Sequence, residues 1–277
     1  MQHDLFLDDL IRQSLKEDIG TGDITTLSTV PEEQTVSGRF IAKSDLVVCG
    51  MNVIVRVFSL IDDRVRINVL ARDGTSVSTG TLIAEITGPA RAILTGERVA
   101  LNFLQLLSGI ATRTRDCVEA VRGTQARITD TRKTTPGLRV LEKYAVRTGG
   151  GSNHRFNLSD GVLIKDNHIK AAGGITQAVR AARLSIPHTL KIEVEVENTA
   201  MIEEALACGA DIIMLDNMSL EDMAAAVKRI NGQAVVEASG NMGEKDLMAV
   251  ACTGVDLISI GALTHSIMAA DISLRFN

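Results

Sequence analysis

Tryptophan is absent from this 277-residue chain and tyrosine occurs once, so the aromatic platforms on which nucleic-acid bases stack are scarce. Positive charge is short as well. A net charge of −5 disfavours the broad basic face of a nucleic-acid binder. No apolar run approaches membrane-spanning length, and the amino terminus MQHDLFLDDLIRQ has acids where a secretory leader carries bases. The four cysteines (Cys49, Cys117, Cys208, Cys252) lie far apart without CxxC spacing and read as reduced filler in apolar segments. His154 and His168 are too isolated for a metal cluster, and no HxxxH or CxxH spacing exists. A composition 45% hydrophobic and 23% charged remains, that of a globular protein with one large domain or two ordinary ones. The expectation is a cytoplasmic protein with neither nucleic-acid nor membrane partners.

The first hundred residues mix helix and strand. Asp4 can cap a helix carrying Leu7, Leu10, Ile11 and Leu15 at helical spacing and ending near Gly20; GTGDITT (20–26) then reads as a loop. Strands are expected at 36–42 and 65–71, with a helix at 52–61 between them. The glycines of 73–89 suggest tight turns in a small sheet, and 90–121 reads as helix broken at Gly109. From Ala126 the pattern changes. ARITD, GVLIKDN, KIEVEV, DIIMLDN, AVVEASG and DLISIGA alternate with helical stretches at 176–184, 200–208, 220–230 and 245–251. Val/Ile/Leu-rich runs separated by helices imply parallel strands buried on both faces.

Each run ends in polar residues: Asp130 to Lys133, Lys165 to Asn167, Glu195, Asp216-Asn217, Glu237 to Gly240, and Gly261. An open doubly wound sheet places ligands in a crevice at such ends, whereas a β/α barrel gathers all of them around one centre. Six consecutive polar endings favour the barrel.

Charge is uneven too. Residues 129–156 carry six Lys/Arg against two acids, a local +4 that leaves −9 elsewhere. Three glycines (149–151) precede His154-Arg155 and let the main chain press close to a ligand. Lys165, inside an apolar run, has three readings: an ion pair with Asp130 or Glu195, an anion-binding group, or a Schiff-base nucleophile. Alternation in KIEVEV puts Glu193 and Glu195 on one face, where two acids need cations or a metal. With Asp216 they form an oxygen-only set suited to Mg²⁺ shared with a phosphate-bearing substrate. ASGNMG (238–243) and SIGALTHS (259–266), each between a strand and a helix, suit a phosphate.

These stretches carry a resemblance. TDTRKTTPGLRVLEKYAVRTGGGSNHRF and DGVLIKDNHI, with EDIGTGDITT, GERVALNFLQLLSGIAT, EVEVEN, IIMLDNM, EASGN and ISIGALTHS, resemble the quinolinate phosphoribosyltransferase family along essentially the whole chain. Departures are confined to Ser152, Asn157 and Ser159. The resemblance implies an amino-terminal α/β sandwich (1–110), an irregular parallel β/α barrel of fewer than eight strands (111–265), and a tail (266–277) returning to the first domain. It also implies transfer of phosphoribose from phosphoribosyl pyrophosphate to quinolinate, with loss of CO₂, in NAD biosynthesis. Lys133, Lys165, Glu195 and Asp216 are the implied catalytic residues, and Glu195 and Asp216 the implied Mg²⁺ ligands. The implied substrate-binding set adds Arg98, Thr131, Arg132, His154, Arg155, Ser239, Gly240 and Gly261. A homodimer is implied, Arg98 reaching into the neighbour's site, with higher assembly left open. Three rivals stand beside this reading: a paralogue with another anionic acceptor, a Schiff-base aldolase using Lys165, and a non-catalytic anion sensor.

Overall fold

The computed structural model describes residues 4–276. They divide into two compact units: residues up to Arg113 with Val140–Gly149 and the stretch from Ile267, and Thr114–Arg139 with Gly150–Ser266.

In the first unit, α1 (Asp4–Ile19) ends one residue before Gly20, as expected; a cap by the Asp4 side chain lies outside the described residues. The expected loop at 20–26 is instead cut short by α2 (Ile24–Thr29), because the Asp23 carboxylate accepts the Thr26 N–H and caps a single turn. Then come β1 (Thr35–Ala42), β2 (Leu46–Val47), α3 (Met51–Ile61), β3 (Arg66–Val69), β4 (Ser76–Val77) and β5 (Leu82–Pro89). Gly74 and Gly80 take positive φ in the turns around β4. β1 alternates, burying Phe40 and Ala42 while Gly38 packs under Leu274 and Phe276. The helix α4 (Ala90–Ala120) runs unbroken through Gly109. That glycine is kept for space: a Cβ there would stand 2.3 Å from the Met268 carbonyl oxygen.

After β6 (Arg127–Thr129), the helix α5 (Arg139–Thr148) contributes most of its length to the first unit, where the Tyr144 hydroxyl donates to Asp73. The basic segment is therefore divided. Lys143 is buried in the first unit and Arg147 lies exposed there, while Arg132, Lys133, Arg139 and Arg155 belong to the second.

The second unit continues with β7 (Val162–Ile164), α6 (Asp166–Ala172), α7 (Ile175–Ser185), β8 (Ile192–Val196), α8 (Thr199–Ala207), β9 (Ile212–Asp216), α9 (Leu220–Ile230), β10 (Val235–Ser239), α10 (Leu247–Cys252), β11 (Leu257–Ser259) and α11 (Ala262–His265). Asn198, Ser219 and Asp246 cap the helices that follow them. All six expected strands form one parallel sheet in the order β6-β11-β10-β9-β8-β7. Their apolar side chains are buried on both faces, Ile192, Val194 and Val196 completely. β6 and β7 are not paired with each other. A bridge from Thr129 to Ser152 instead lays the post-glycine segment beside β6. The chain closes with β12 (Ile272–Phe276), which joins the first unit's antiparallel sheet in the order β12-β1-β5-β3. The fold is a mixed α/β one: an antiparallel domain, and an irregular barrel-like parallel domain of fewer than eight strands. Among the described residues no helix is long and apolar enough to cross a membrane.

None of the four cysteines is in a disulfide. Cys49 and Cys117 are buried as expected, but Cys208 is only partly covered and Cys252 is exposed on α10.

Candidate active site

The carboxyl ends of the six strands converge on a cavity of about 530 Å³. Thr131, Arg132 and Lys133 enter it from the loop after β6, and Lys165 from the end of β7. Glu195 of β8, Asp216 at the end of β9 with Asn217 after it, and Ser239 at the end of β10 with Gly240 after it complete that rim, with His154 and Arg155 beside them. Ten of the twelve substrate-site residues read from the sequence thus share one cavity. The eleventh, Gly261, lies just past β11 with its α-carbon against Lys133; a Cβ would approach that side chain's Cδ to 3.0 Å. The twelfth, Arg98, is exposed on α4 in the first unit.

Local chemistry explains how each group is aimed. Lys165 does not sit in the strand but at the N-cap of α6, its backbone N–H donating to His168 Nδ1 at 3.0 Å. Its side chain is 47% exposed, so the burial expected of it does not occur. Of its two expected partners, Glu195 is the one found, at 3.2 Å. A pair this exposed contributes at most about 1 kcal/mol, so stability is no reason for it. Asp216 is oriented by Asn217, whose Nδ2 donates to it at 2.8 Å. Asn217 has φ 54°, and Gly240 packs so tightly on it that a Cβ would stand 2.2 Å from its Oδ1. Only glycine fits at 240.

The post-glycine segment is fixed by Asp130, fully buried, which accepts the His154 N–H at 2.9 Å and the Asn153 amide at 2.6 Å. Arg155 then points inward, donating to the Gly161 carbonyl at 2.8 Å. Burial first, then the neighbouring Arg132, make the Arg155 charge costlier and lower its pKa. The Nε atoms of both arginines are buried without a hydrogen-bond partner. Two planar guanidinium groups lining one cavity form a receptor for carboxylate or phosphate.

Beneath them lies a group that sequence spacing did not reveal. His154, read as isolated, meets Glu193 and Glu237, their ligating atoms all within 4.8 Å of one another. The geometry there is a hydrogen bond: His154 Nε2 lies 3.0 Å from Glu193 and 3.8 Å from Glu237, while Nδ1 accepts the Arg155 N–H. With Nδ1 so occupied the neutral ring carries its proton on Nε2, facing the carboxylates, and we assign no ion to the group. Burial, then the Glu193 charge, push the Glu237 carboxyl up to about 7. Glu193, Glu237, Asp130 and Asn217 are the additions to the site. The inward alternation of β8 marked Glu193, and a place in the polar tail of an apolar run marked the other three, but nothing local marked their partners.

Two family models match the chain: quinolinate phosphoribosyl transferase, N-terminal domain, over residues 23–108, and C-terminal domain, over residues 110–275. The chain is 47% identical over 274 residues to a Bacillus subtilis protein named "Probable nicotinate-nucleotide pyrophosphorylase [carboxylating]", covering 99% of this chain and 94% of that one. It is 42% identical to the Mycobacterium leprae nicotinate-nucleotide pyrophosphorylase [carboxylating], covering 96% and 95%. The solved nicotinate-nucleotide pyrophosphorylase from Francisella tularensis superposes with a TM-score of 0.94 at 43% identity, covering 98% of this chain and 96% of that one. The chain belongs to the quinolinate phosphoribosyl transferase family.

Proposed function

We propose that the chain transfers the phosphoribosyl group of phosphoribosyl pyrophosphate to quinolinate and releases pyrophosphate and CO₂, forming nicotinate mononucleotide for NAD biosynthesis. One observation carries the reading. Arg132, Lys133, Arg155 and Lys165 line a single cavity together with Glu195 and Asp216, a layout matching two polyanions that meet at a carbon gaining positive charge.

Arg132 and Arg155 hold the quinolinate carboxylates through their guanidinium groups, with Lys165 completing the acceptor end; His154, expected to bind substrate, lines the same cavity but has both ring nitrogens engaged by Glu193 and the Arg155 N–H. Lys133 and Thr131 take the pyrophosphate, and Ser239, Gly240 and Gly261 the 5′-phosphate, at loops where missing side chains let backbone approach. The ring nitrogen displaces pyrophosphate at C1 of the ribose. Glu195 and Asp216 stabilise the positive charge that develops there or bind the ribose hydroxyls. The quaternised ring then lets the adjacent carboxylate leave as CO₂. Lys165 faces a carboxylate rather than the apolar pocket or cationic neighbour that activates a Schiff-base lysine.

Mg²⁺ fits this site: Glu195 and Asp216 are half-buried oxygen donors on adjacent strands of one cavity, two carboxylates being what Mg²⁺ shares with a substrate phosphate. Bound there, it would offset the charge of the leaving pyrophosphate. We further propose a cytoplasmic homodimer in which Arg98 serves the partner's cavity. Mixing R98A with R132A subunits would then restore part of the activity that each variant lacks, and absence of complementation would remove the shared site.

The deciding assay supplies quinolinate, phosphoribosyl pyrophosphate and Mg²⁺ and measures CO₂ with the mononucleotide. Equal turnover of another acceptor acid, or none of quinolinate, would overturn the assignment.

A further inference from the structure

The parallel sheet has a second opening. At the amino ends of its strands lies a cavity of about 460 Å³, bordered by Arg127, Val162, Ile212 and Leu257, the first residues of β6, β7, β9 and β11. His154, Arg155 and Glu237 line this cavity and the reaction cavity alike, so one layer of side chains separates them. Glu237 is 1% exposed, and its Oε1 has no hydrogen-bond partner. The charged or titratable groups around it are His154 and Arg155 from the post-glycine segment and Glu193 from β8, with the Ser259 hydroxyl from β11.

The reaction stated above needs something the anion receptor lacks. When the ring carboxylate leaves, the C–C bond breaks, CO₂ departs, and the electron pair stays on the ring carbon beside the nitrogen. That carbon must gain a proton before product can leave. Arginine cannot supply one. Lys133 and Lys165 are committed to anions, while Glu195 and Asp216 act as anions at the ribose. We propose that Glu237 delivers this proton and is recharged through the cavity at the amino ends of the strands. The Glu237 O–H bond breaks, a C–H bond forms with the pair that CO₂ left behind, and the negative charge passes to Glu237. A proton from water in the second cavity then restores the acid, so each turnover consumes one proton from solvent. His154 positions the two carboxyls, its Nε2 lying 3.0 Å from Glu193 and 3.8 Å from Glu237. The upward shift of the Glu237 carboxyl agrees with a group that is still an acid near neutrality.

This inference rests on the transfer reaction and is tested apart from it. E237Q keeps the shape and neutrality of the protonated side chain but has no proton to give. In a single turnover it should release one equivalent of pyrophosphate per site at close to the wild-type rate. Mononucleotide formation should fall by about tenfold or more, with KM for both substrates unchanged and the melting temperature unchanged at pH 5, where the wild-type side chain is also neutral. Wild-type mononucleotide formation by E237Q, or loss of its pyrophosphate burst in step with product, would overturn the proposal. If E237Q does not fold, E237D serves: it keeps the proton at shorter reach, and must slow product formation more than the burst or the proposal fails. No pyrophosphate release by the wild-type protein would instead count against the transfer reaction itself.

Discussion

The two sheets use the same apolar residues to opposite effect. In the antiparallel sheet β1 alternates, so its polar side chains at Ser37 and Arg39 face away from the core and can be exchanged at small cost. In the parallel sheet most strand residues are buried, and polar groups lie at strand ends or inside beside other polar groups. Glu195, Asp216 and Ser239 are strand-end groups; Glu193 and Glu237 are internal. Polarity in the first sheet is solvation, whereas in the second it is chemistry or its support.

Substitutions in the two sheets should separate activity from stability. The largest effect is expected from R132A and from K165A. Each should lower kcat/KM by about 10³-fold with little change in melting temperature, since neither side chain is part of the core. Steady-state assays paired with melting curves decide it, and unchanged kcat/KM in both would remove the anion pocket. The mirror case is F40A in the antiparallel sheet, fully buried in β1. It should cost about 3–5 kcal/mol in denaturant unfolding while the folded fraction keeps its kcat/KM. G240A comes next. The clash with Asn217 and the positive φ should raise KM for phosphoribosyl pyrophosphate about tenfold, with a smaller change for quinolinate.

A pH comparison follows. Glu237 holds its proton in the folded protein up to about 7, whereas an unfolded glutamate loses it near 4.5. The folded state thus binds more protons between those values, and its stability falls as pH rises through that window. E237Q removes this slope, so its melting temperature relative to wild type should be higher at pH 8 than at pH 5. The smallest effect belongs to the exposed Arg229–Glu203 pair between α9 and α8. E203A should change stability by less than about 1 kcal/mol and leave turnover intact.

Much of this was legible before folding. The six parallel strands were found where the apolar runs lie, and the cavity gathered the residues at their carboxyl ends. What escaped was of two kinds. Single-residue effects misled locally: Asp23 turned an expected loop into a helix, and Gly109 marked a close approach rather than a break. The other misses were long-range. His154 looked solitary because its partners lie 39 and 83 residues away. Lys165 looked buried because its run is apolar, yet it sits at a helix start.

The order of strands and helices, and the polar tips that make a site, follow from the sequence by itself, because alternation and apolar runs are properties of neighbours along the chain. Which carboxyl keeps its proton, which arginines are left with unspent donors, and which lysine meets which acid were decided only by the tertiary structure. Burial and charge act through space over a few ångströms, and the groups that supply them come from strands far apart in sequence.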